Sequence, residues 1–241
     1  MTEESKIAWE PTEEHPRRAK ILKTEFVTHD VKRFTVEKPT GFNFVPGQAN
    51  LVTPGQPGWE ERSQIYCPTS LNSDPTLEFI IKTYPEHEGV SQELHNLGAG
   101  DGLVLHEPFG TIRYKGKGVF LAAGTGITPF IAIFRQLHKD KQVSGNTLIF
   151  SNKKAEDIIL EKDLREIFGN NLVLTLSREQ LEGYENGRID KTMIQKHVKD
   201  FNQYFYVCGP DPFVLDLRKT LRELGVKDEN IVAERLVVGD A

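Results

Sequence analysis

The chain has 241 residues, of which 38% are hydrophobic and 27% charged, a balance typical of a globular protein with one large or two modest domains. A net charge of −5 excludes a polyanion-binding protein. The start of the chain, MTEESKIAWEP, is too acidic and polar for a signal peptide, and no apolar run is long enough to span a membrane. We therefore expect a cytoplasmic location. Two cysteines exclude a disulfide scaffold and a four-cysteine zinc or iron–sulfur site, and we predict no metal site.

Residues 1–16 repeat Glu without periodicity, which predicts a flexible tail. From residue 17 to about 114, short β-type runs alternate with turn residues, which predicts a small antiparallel barrel or sandwich. The segment GVSQELHNLGAGD predicts one helix there, with Ser91 as a candidate cap and an end at Gly98. The predicted strands are AKILKTEFV, VKRFTVEK, QANLVTP, RSQIYCP, LEFIIKTY and GLVLHEP.

The segment ERSQIYCPTS, residues 61–70, lacks an apolar face. If the segment from Arg62 to Cys67 is extended, Arg62, Gln64 and Tyr66 share one face. Taken alone, this pattern is most simply a polar edge strand.

A basic, Gly-rich joint, RYKGKG, occupies residues 113–118, and the pattern changes after it. Strands and helices now alternate, which predicts a doubly wound parallel sheet over residues 118–241. The predicted strands are VFLAAG, NTLIFS, NLVLTLS, YFYVCG and NIVAERLVV, and the predicted helices are TPFIAIFRQLHKD, EKDLREIFG, KTMIQKHVKDF and PFVLDLRKTLRELG.

The first strand of this second domain runs into a glycine turn, Gly124-Thr-Gly-Ile-Thr-Pro129. Glycines allow a sharp turn and close approach to a phosphate, and the following helix presents free N–H groups. The third glycine of the usual dinucleotide fingerprint is absent, and the next strand ends Phe150-Ser-Asn-Lys-Lys154 without a carboxylate. The turn therefore predicts a nucleotide site without a carboxylate contact to the ribose.

Two further strand ends carry candidate cofactor contacts. Ser177 and Arg178 follow the third strand, where a hydroxyl and a guanidinium suit a phosphate and favour NADP over NAD; a solvated loop is the alternative. Cys208 ends the fourth strand before Gly209 and Asp211. It is either a small buried hydrophobe or a neighbour of the nicotinamide.

These motifs together resemble, in order and over nearly the whole chain after residue 17, the ferredoxin–NADP reductase superfamily of flavin-dependent reductases. The resemblance implies a six-stranded antiparallel flavin-binding barrel at residues 17–114, followed by a nucleotide-binding domain at 118–241. The motifs that carry it are the P-G-Q turn in Phe44–Gln48, Lys82, Gly89-Val90-Ser91, Glu107–Gly110, Gly124–Pro129, Ser177-Arg178 and Cys208-Gly209.

Residues 61–70 depart from the flavin motif of this superfamily, R-x-[YF]-[ST]. Aligned through Pro68-Thr-Ser70, the chain keeps the stacking ring as Tyr66 but has Gln64 in place of Arg and Cys67 in place of the hydroxyl. A thiol is a weaker donor than a hydroxyl, and loss of the Arg–phosphate contact weakens flavin binding. Arg62, two residues earlier, is the candidate substitute.

The resemblance implies hydride transfer from NADPH to FAD, then single electrons to a separate acceptor such as ferredoxin, flavodoxin, a haem protein or a small oxidant. Cys208 is expected beside the nicotinamide, Cys67 beside flavin N5, and Glu234 as a rim carboxylate. Lys82 and Gly89–Ser91 are assigned to the flavin, Gly124, Thr125, Gly126 and Thr128 to the pyrophosphate, and Ser177 and Arg178 to the 2′-phosphate. An acidic carrier would need a basic patch, for which the candidates are Arg17, Arg18, Lys20, Arg113, Lys115 and Lys117.

Two alternatives remain at this stage. One is an NADH-preferring enzyme like the cytochrome-b5-reductase or flavin-reductase branches. The other, motivated by Gln64 and Cys67, is a non-enzymatic binding module with weakened flavin binding.

Overall fold

The structure is a computed structural model that describes residues 16–86, 88–110 and 112–234. The predicted tail, apart from its last residue, and the chain end after Glu234 lie outside the described residues. Within those ranges, no helix has both the length and the apolar character needed to cross a bilayer.

The first half of the chain forms the predicted barrel. All neighbouring strands are antiparallel, in the order β4-β3-β6-β1-β2-β5. Beyond the end of β4, the Thr69 N–H donates to the Glu78 carbonyl at 2.7 Å, which joins the two outermost strands and nearly closes the sheet. The strands are β1 (Arg17–Phe26), β2 (Val31–Glu37), β3 (Asn50–Pro54), β4 (Gln64–Tyr66), β5 (Thr76–Lys82) and β6 (Gly102–Leu105).

The barrel core follows from side-chain alternation along each strand. In β5, Leu77, Phe79 and Ile81 point inward and are fully buried, whereas Glu78 is directed to the outer surface. In β1, Ala19 and Ile21 are buried between exposed neighbours. This period of two fixes the register, because a shift by one residue would expose the apolar set.

The single helix of the barrel, α1 (Val90–Asn96), differs in detail from the prediction. Ser91 does not cap it; Gly89 occupies the N-cap position with φ of 142°, which favours glycine, and Ser91 lies within the first turn. The helix ends at Asn96, two residues before the predicted end. Its last carbonyls are bound by the buried Lys32, whose Nζ donates to the His95 and Leu97 oxygens at 2.8 and 2.6 Å.

The second half forms the predicted parallel sheet, in the order β10-β9-β8-β7-β11-β12. β10 was not predicted, because two residues carry no periodicity. The elements are β7 (Gly118–Ala123), α2 (Thr128–Lys139), β8 (Thr147–Asn152), α3 (Glu161–Phe168), β9 (Leu172–Leu176), β10 (Glu185–Asn186), α4 (Lys191–His197), β11 (Tyr204–Cys208), α5 (Asp211–Glu223) and β12 (Ile231–Ala233).

Two features of this sheet position the functional site. The strand order reverses between β7 and β11, and ligands of such sheets bind outside the carboxyl ends of the strands at this point. The joint that precedes β7 is fastened by Tyr206, whose hydroxyl accepts from the Lys115 and Gly116 N–H groups at 2.9 and 3.1 Å and donates to the Gly116 carbonyl at 2.7 Å. Both domains are thus held around one cleft.

Candidate active site

The cleft consists of two cavities that meet at Lys82, Tyr84, Thr125 and Pro210. The larger, of about 790 Å³, lies between β4 of the barrel and the ends of β7 and β11. The smaller, of about 440 Å³, follows the carboxyl edge of β7, β8 and β9. Both volumes fall in the range of cofactor sites.

The barrel wall of the larger cavity is built by β4. The strand is only Gln64–Tyr66, so Arg62 precedes it and does not share its face, contrary to the expectation from alternation. As an edge strand it has little to bury: Ile65 is 54% exposed, and Tyr66 is half-buried against the barrel core. The Tyr66 hydroxyl donates to Gln64 Oε1 at 2.6 Å. Gln64, which stands where the superfamily motif has Arg, is thus hydrogen-bonded to the ring that is expected to stack on the flavin.

Arg62 does not reach the cleft. Its guanidinium stacks on the Trp59 ring, 5.3 Å from the ring centroid, and the side chain is exposed. Among the described residues, Lys82 is the only cation that lines the larger cavity. Its Nζ lies 2.5 Å from Asp30 Oδ2, and although burial raises the pKa of Asp30, this ammonium group lowers it overall. The barrel side of the larger cavity is where the sequence predicts the flavin, and we call it the flavin wall. Its described residues therefore supply one cation, Lys82, whose charge is partly neutralised by Asp30.

Cys67, Cys208 and Glu234 all line the larger cavity. Burial raises the pKa of Cys67 well above its usual value, and the nearby Glu234 and Cys208 raise it further. Burial and Glu234 raise the pKa of Cys208 to about 12, and burial raises the pKa of Glu234 itself. At neutral pH both thiols are protonated, which makes them weak hydrogen-bond donors rather than nucleophiles.

The nucleotide wall is closely packed. Gly124–Ile127 forms a 3₁₀ turn between β7 and α2, and Gly124 has φ of 52°. A Cβ on Gly126 would overlap the Cys208 carbonyl oxygen and lie 2.5 Å from Gly209 Cα. Thr128 Oγ1 donates to the Thr125 carbonyl at 3.0 Å and so stabilises the turn. Only glycine at position 126 allows these two turns to meet.

The smaller cavity is lined by residues that the sequence did not indicate. Ser177 lines it, but Arg178 is exposed and does not. Lys153 and Arg188 line it instead, and within the described ranges neither side chain forms an ion pair. Arg188 lies eleven residues beyond the strand end that carries Ser177, where no motif pointed to it.

Most of the predicted site residues meet at the cleft, and five do not line either cavity. Val90 is buried in the barrel core, and Asp211 begins α5 on the exposed side of the turn after Cys208. The five are Arg62, Gly89, Val90, Arg178 and Asp211. Those that line the cleft are Gln64, Tyr66, Cys67, Lys82, Ser91, Gly124, Thr125, Gly126, Thr128, Ser177, Cys208, Gly209 and Glu234.

The cleft suits FAD and a nicotinamide nucleotide together. The cleft is lined by an aromatic ring, by Ser91 in the first turn of α1 and by the glycine turn at the start of α2, which match the needs of a flavin ring and two diphosphates. Comparison with protein families agrees. Residues 18–114 match the oxidoreductase FAD-binding domain family, and residues 120–219 match the oxidoreductase NAD-binding domain family. The chain belongs to the ferredoxin–NADP reductase superfamily.

Individual relatives of this reductase are distant. It is 27% identical over 256 residues to NADH-cytochrome b5 reductase 2 of Danio rerio, covering 88% of this chain and 82% of the relative. It is 29% identical over 229 residues to NADH–cytochrome b5 reductase 1 of Arabidopsis thaliana, covering 87% and 80%.

Solved structures show the same fold. The CS-b5R domains of human Ncb5or in the NAD⁺ form match with a TM-score of 0.80 at 25% identity, over 92% of this chain and 70% of that one. A ferredoxin NADP⁺ reductase from Neisseria gonorrhoeae with bound FAD and NADP matches with a TM-score of 0.79 at 20% identity, over 91% and 98%. The reductase is thus an FAD-dependent NAD(P)H oxidoreductase.

Proposed function

We propose that this reductase passes hydride from NADPH to FAD and then single electrons to a separate acceptor. The NADPH preference is inferred from the smaller cavity, which is lined by Ser177, Lys153 and Arg188. We assign this part of the cleft to the adenosine, and β8 ends there in Asn152 instead of a carboxylate. A 2′-phosphate is favoured by hydroxyl and cationic groups, whereas a carboxylate at this strand end would favour a free ribose hydroxyl.

Two carboxylates also line this cavity, Asp157 and Asp216. Asp157 Oδ2 accepts from the Lys154 N–H at 2.9 Å, and its Oδ1 lies 3.9 Å from His29 Nε2. These contacts engage the charge of Asp157, whereas Asp216 adds a negative charge to the cavity. Lys153 and Arg188 are lining cations for which the described residues supply no ion pair, so we assign the phosphate to them.

We assign residues 17–114 to FAD and residues 118–241 to the nucleotide. FAD bound at the barrel would supply the redox chemistry, namely hydride uptake followed by release of single electrons. Tyr66 would cover one face of the ring, with its orientation set by the hydrogen bond to Gln64. Cys67 would offer its protonated thiol near N5, and Cys208 would pack beside the nicotinamide. Glu234 holds a proton to higher pH than an ordinary carboxyl because burial raises its pKa.

The acceptor would be ferredoxin, flavodoxin, a haem protein or a small oxidant. Of the six basic residues considered for an acidic carrier, Arg17 is committed to an ion pair with Glu107 at 2.7 Å. The other five are exposed and remain candidates: Arg18, Lys20, Arg113, Lys115 and Lys117.

The test is anaerobic bleaching of the FAD-loaded protein by NADPH and by NADH. We expect a higher kcat/KM for NADPH, and we expect Arg188→Ala to lower it about tenfold, by loss of one charged hydrogen bond, while the value for NADH changes less than about twofold. The matched control is Arg178→Ala, an exposed arginine that does not line the cavity. A wild-type preference for NADH would contradict the proposal.

A second candidate is an NADH-dependent reductase of a haem protein. It is favoured by the curated relatives above, which are named NADH-cytochrome b5 reductases. Under this alternative, wild type prefers NADH, Arg188→Ala leaves kcat/KM unchanged for both nucleotides, and cytochrome b5 accepts electrons faster than ferredoxin or flavodoxin.

A further inference from the structure

One contact joins the nucleotide domain to the barrel directly behind the flavin wall. Arg135, on the third turn of α2, inserts its guanidinium between two acceptors of the barrel. Nη1 donates to the Thr69 carbonyl at 2.7 Å and to Glu78 Oε1 at 2.7 Å. Its side chain is 26% exposed and that of Glu78 is 17% exposed, so the pair is largely shielded from water.

The acceptors are themselves held in place. Thr69 is fully buried, and its hydroxyl donates to the same Glu78 Oε1 at 2.7 Å. The other oxygen of Glu78, Oε2, lies 3.4 Å from Arg33 Nε. Arg33 also forms an ion pair with Glu25, in which Nη1 lies 3.0 Å from Oε1. Arg135 therefore completes a network of two arginines and two glutamates, in which Glu78 is also held by Thr69 and Arg33.

Helix α2 reaches from the cleft to the point where the barrel closes. At its start, Thr128 and Pro129 line the larger cavity beside the phosphate turn. Seven residues later, about 10 Å along the helix, Arg135 is bound to Thr69, which follows Tyr66 by only three residues. α2 thus links the Gly124–Ile127 turn at its start to the backbone segment that follows Tyr66.

We propose that Arg135 is a positioning residue that sets the nicotinamide site at a fixed distance and angle from the flavin wall. Arg135 lines neither cavity of the cleft. It acts by holding α2, because a misplacement of about 1 Å between reacting groups can lower a rate by about 100-fold. The inference rests on the hydride route proposed above.

The experiment uses the full FAD-loaded chain and compares wild type, Arg135→Ala and Arg135→Lys. We expect Arg135→Ala to slow flavin bleaching at saturating NADPH about tenfold, with the dissociation constant for NADPH changed less than about threefold, because the phosphate contacts remain. The long-wavelength nicotinamide–flavin absorbance should weaken in parallel. Arg135→Lys, which keeps the charge and one donor, should restore part of both signals.

The matched control is Arg165→Ala, which removes an arginine from an exposed ion pair with Glu161 on α3. It should leave bleaching and absorbance unchanged. In the FAD-free chain, a cycle of Arg135→Ala, Glu78→Ala and the double variant should show non-additive shifts of the urea midpoint, which tests the contact without any activity.

The outcomes separate the two proposals. If wild type is bleached and Arg135→Ala is bleached at the same rate, the positioning role is wrong and the proposed function stands. If the slower rate of Arg135→Ala is restored by excess FAD, the residue serves FAD retention and the inference is wrong. If neither nucleotide bleaches wild type, the proposed function is wrong and the inference falls with it.

Discussion

The two walls of the cleft are built differently. On the nucleotide wall, the Gly124–Ile127 turn and the Cys208-Gly209 turn are in such close contact that position 126 has no room for a Cβ. On the flavin wall, β4 is a three-residue edge strand whose Gln64 is bound to its own neighbour, Tyr66. One wall is fixed by steric packing and the other by a single pair of side chains.

This difference leads us to predict which cofactor the chain holds less firmly. Close packing of backbone leaves the nucleotide turn one conformation, so little ordering is needed when a phosphate binds. The flavin wall lacks a guanidinium at the cavity, and its one lining cation, Lys82, is paired with Asp30. We therefore expect FAD to be bound less firmly than the nucleotide, and four substitutions test the contrast.

The largest effect is expected from Gly126→Ala, which attacks the packed wall. The new methyl would overlap the Cys208 carbonyl, so the two turns must separate, at a cost of about 1–3 kcal/mol of folding free energy or more. NADPH affinity should fall at least 100-fold, which is measured by flavin bleaching at varied NADPH concentration. The loss of folding free energy is measured by urea unfolding. Gly98→Ala, where a Cβ meets nothing within 4 Å, is the control. Unchanged binding in Gly126→Ala would show that this wall is not rigid.

The next effect is a gain, from Gln64→Arg on the flavin wall. A guanidinium at this position supplies the missing phosphate partner, worth about 1.5–3 kcal/mol, so FAD should bind about 10- to 100-fold more tightly. Fluorescence titration of the FAD-free protein measures it. Ser63→Arg adds the same charge one residue earlier, outside the cavity lining, and should change affinity little. Equal gains from both variants would mean that general charge, not a specific contact, limits binding.

A smaller effect is expected at Cys67, which stands where relatives have a hydroxyl. Cys67→Ser supplies a stronger donor and should speed bleaching by about 2- to 10-fold, the worth of one neutral hydrogen bond. Cys67→Ala, which has no donor, is the matched comparison and should be slower than wild type. If serine and alanine behave alike, the group at this position donates no hydrogen bond that matters to the rate.

The smallest effect concerns Glu234, a half-buried carboxyl that lines the larger cavity. Burial raises the pKa of this carboxyl above 4.5 in the folded chain, so the folded state binds its proton more tightly than the unfolded state. The free energy of unfolding must then fall as the pH rises from about 4.5 through the pKa that Glu234 has in the folded state. In FAD-free protein, Glu234→Gln should remove this fall and be more stable than wild type at neutral pH. Glu37→Gln, an exposed carboxyl, should reproduce the wild-type pH profile. A steeper fall in Glu234→Gln would reverse the sign argued here.

The fold could be predicted because its signals are local. Runs such as VFLAAG and LEFIIKTY carry the period of a buried or half-buried strand, and glycine turns mark where they end. The boundaries that differed, at Ser91 and at Arg62, depend on backbone conformation, because Gly89 takes a positive φ and the turn before Gln64 ends the extended segment.

By itself, the sequence determined the order of a barrel and a parallel sheet, the place of the phosphate turn and the ring of Tyr66, because each depends on neighbours a few residues away. Only the tertiary structure decided which side chains meet across long separations. It paired Lys82 with Asp30 and placed Arg188, rather than Arg178, in the lining of the smaller cavity. It also stacked Arg62 on Trp59 and joined Arg135 to Thr69 and Glu78. Exposed and half-exposed charged side chains have no periodicity that reports their partners, so their roles follow from packing alone.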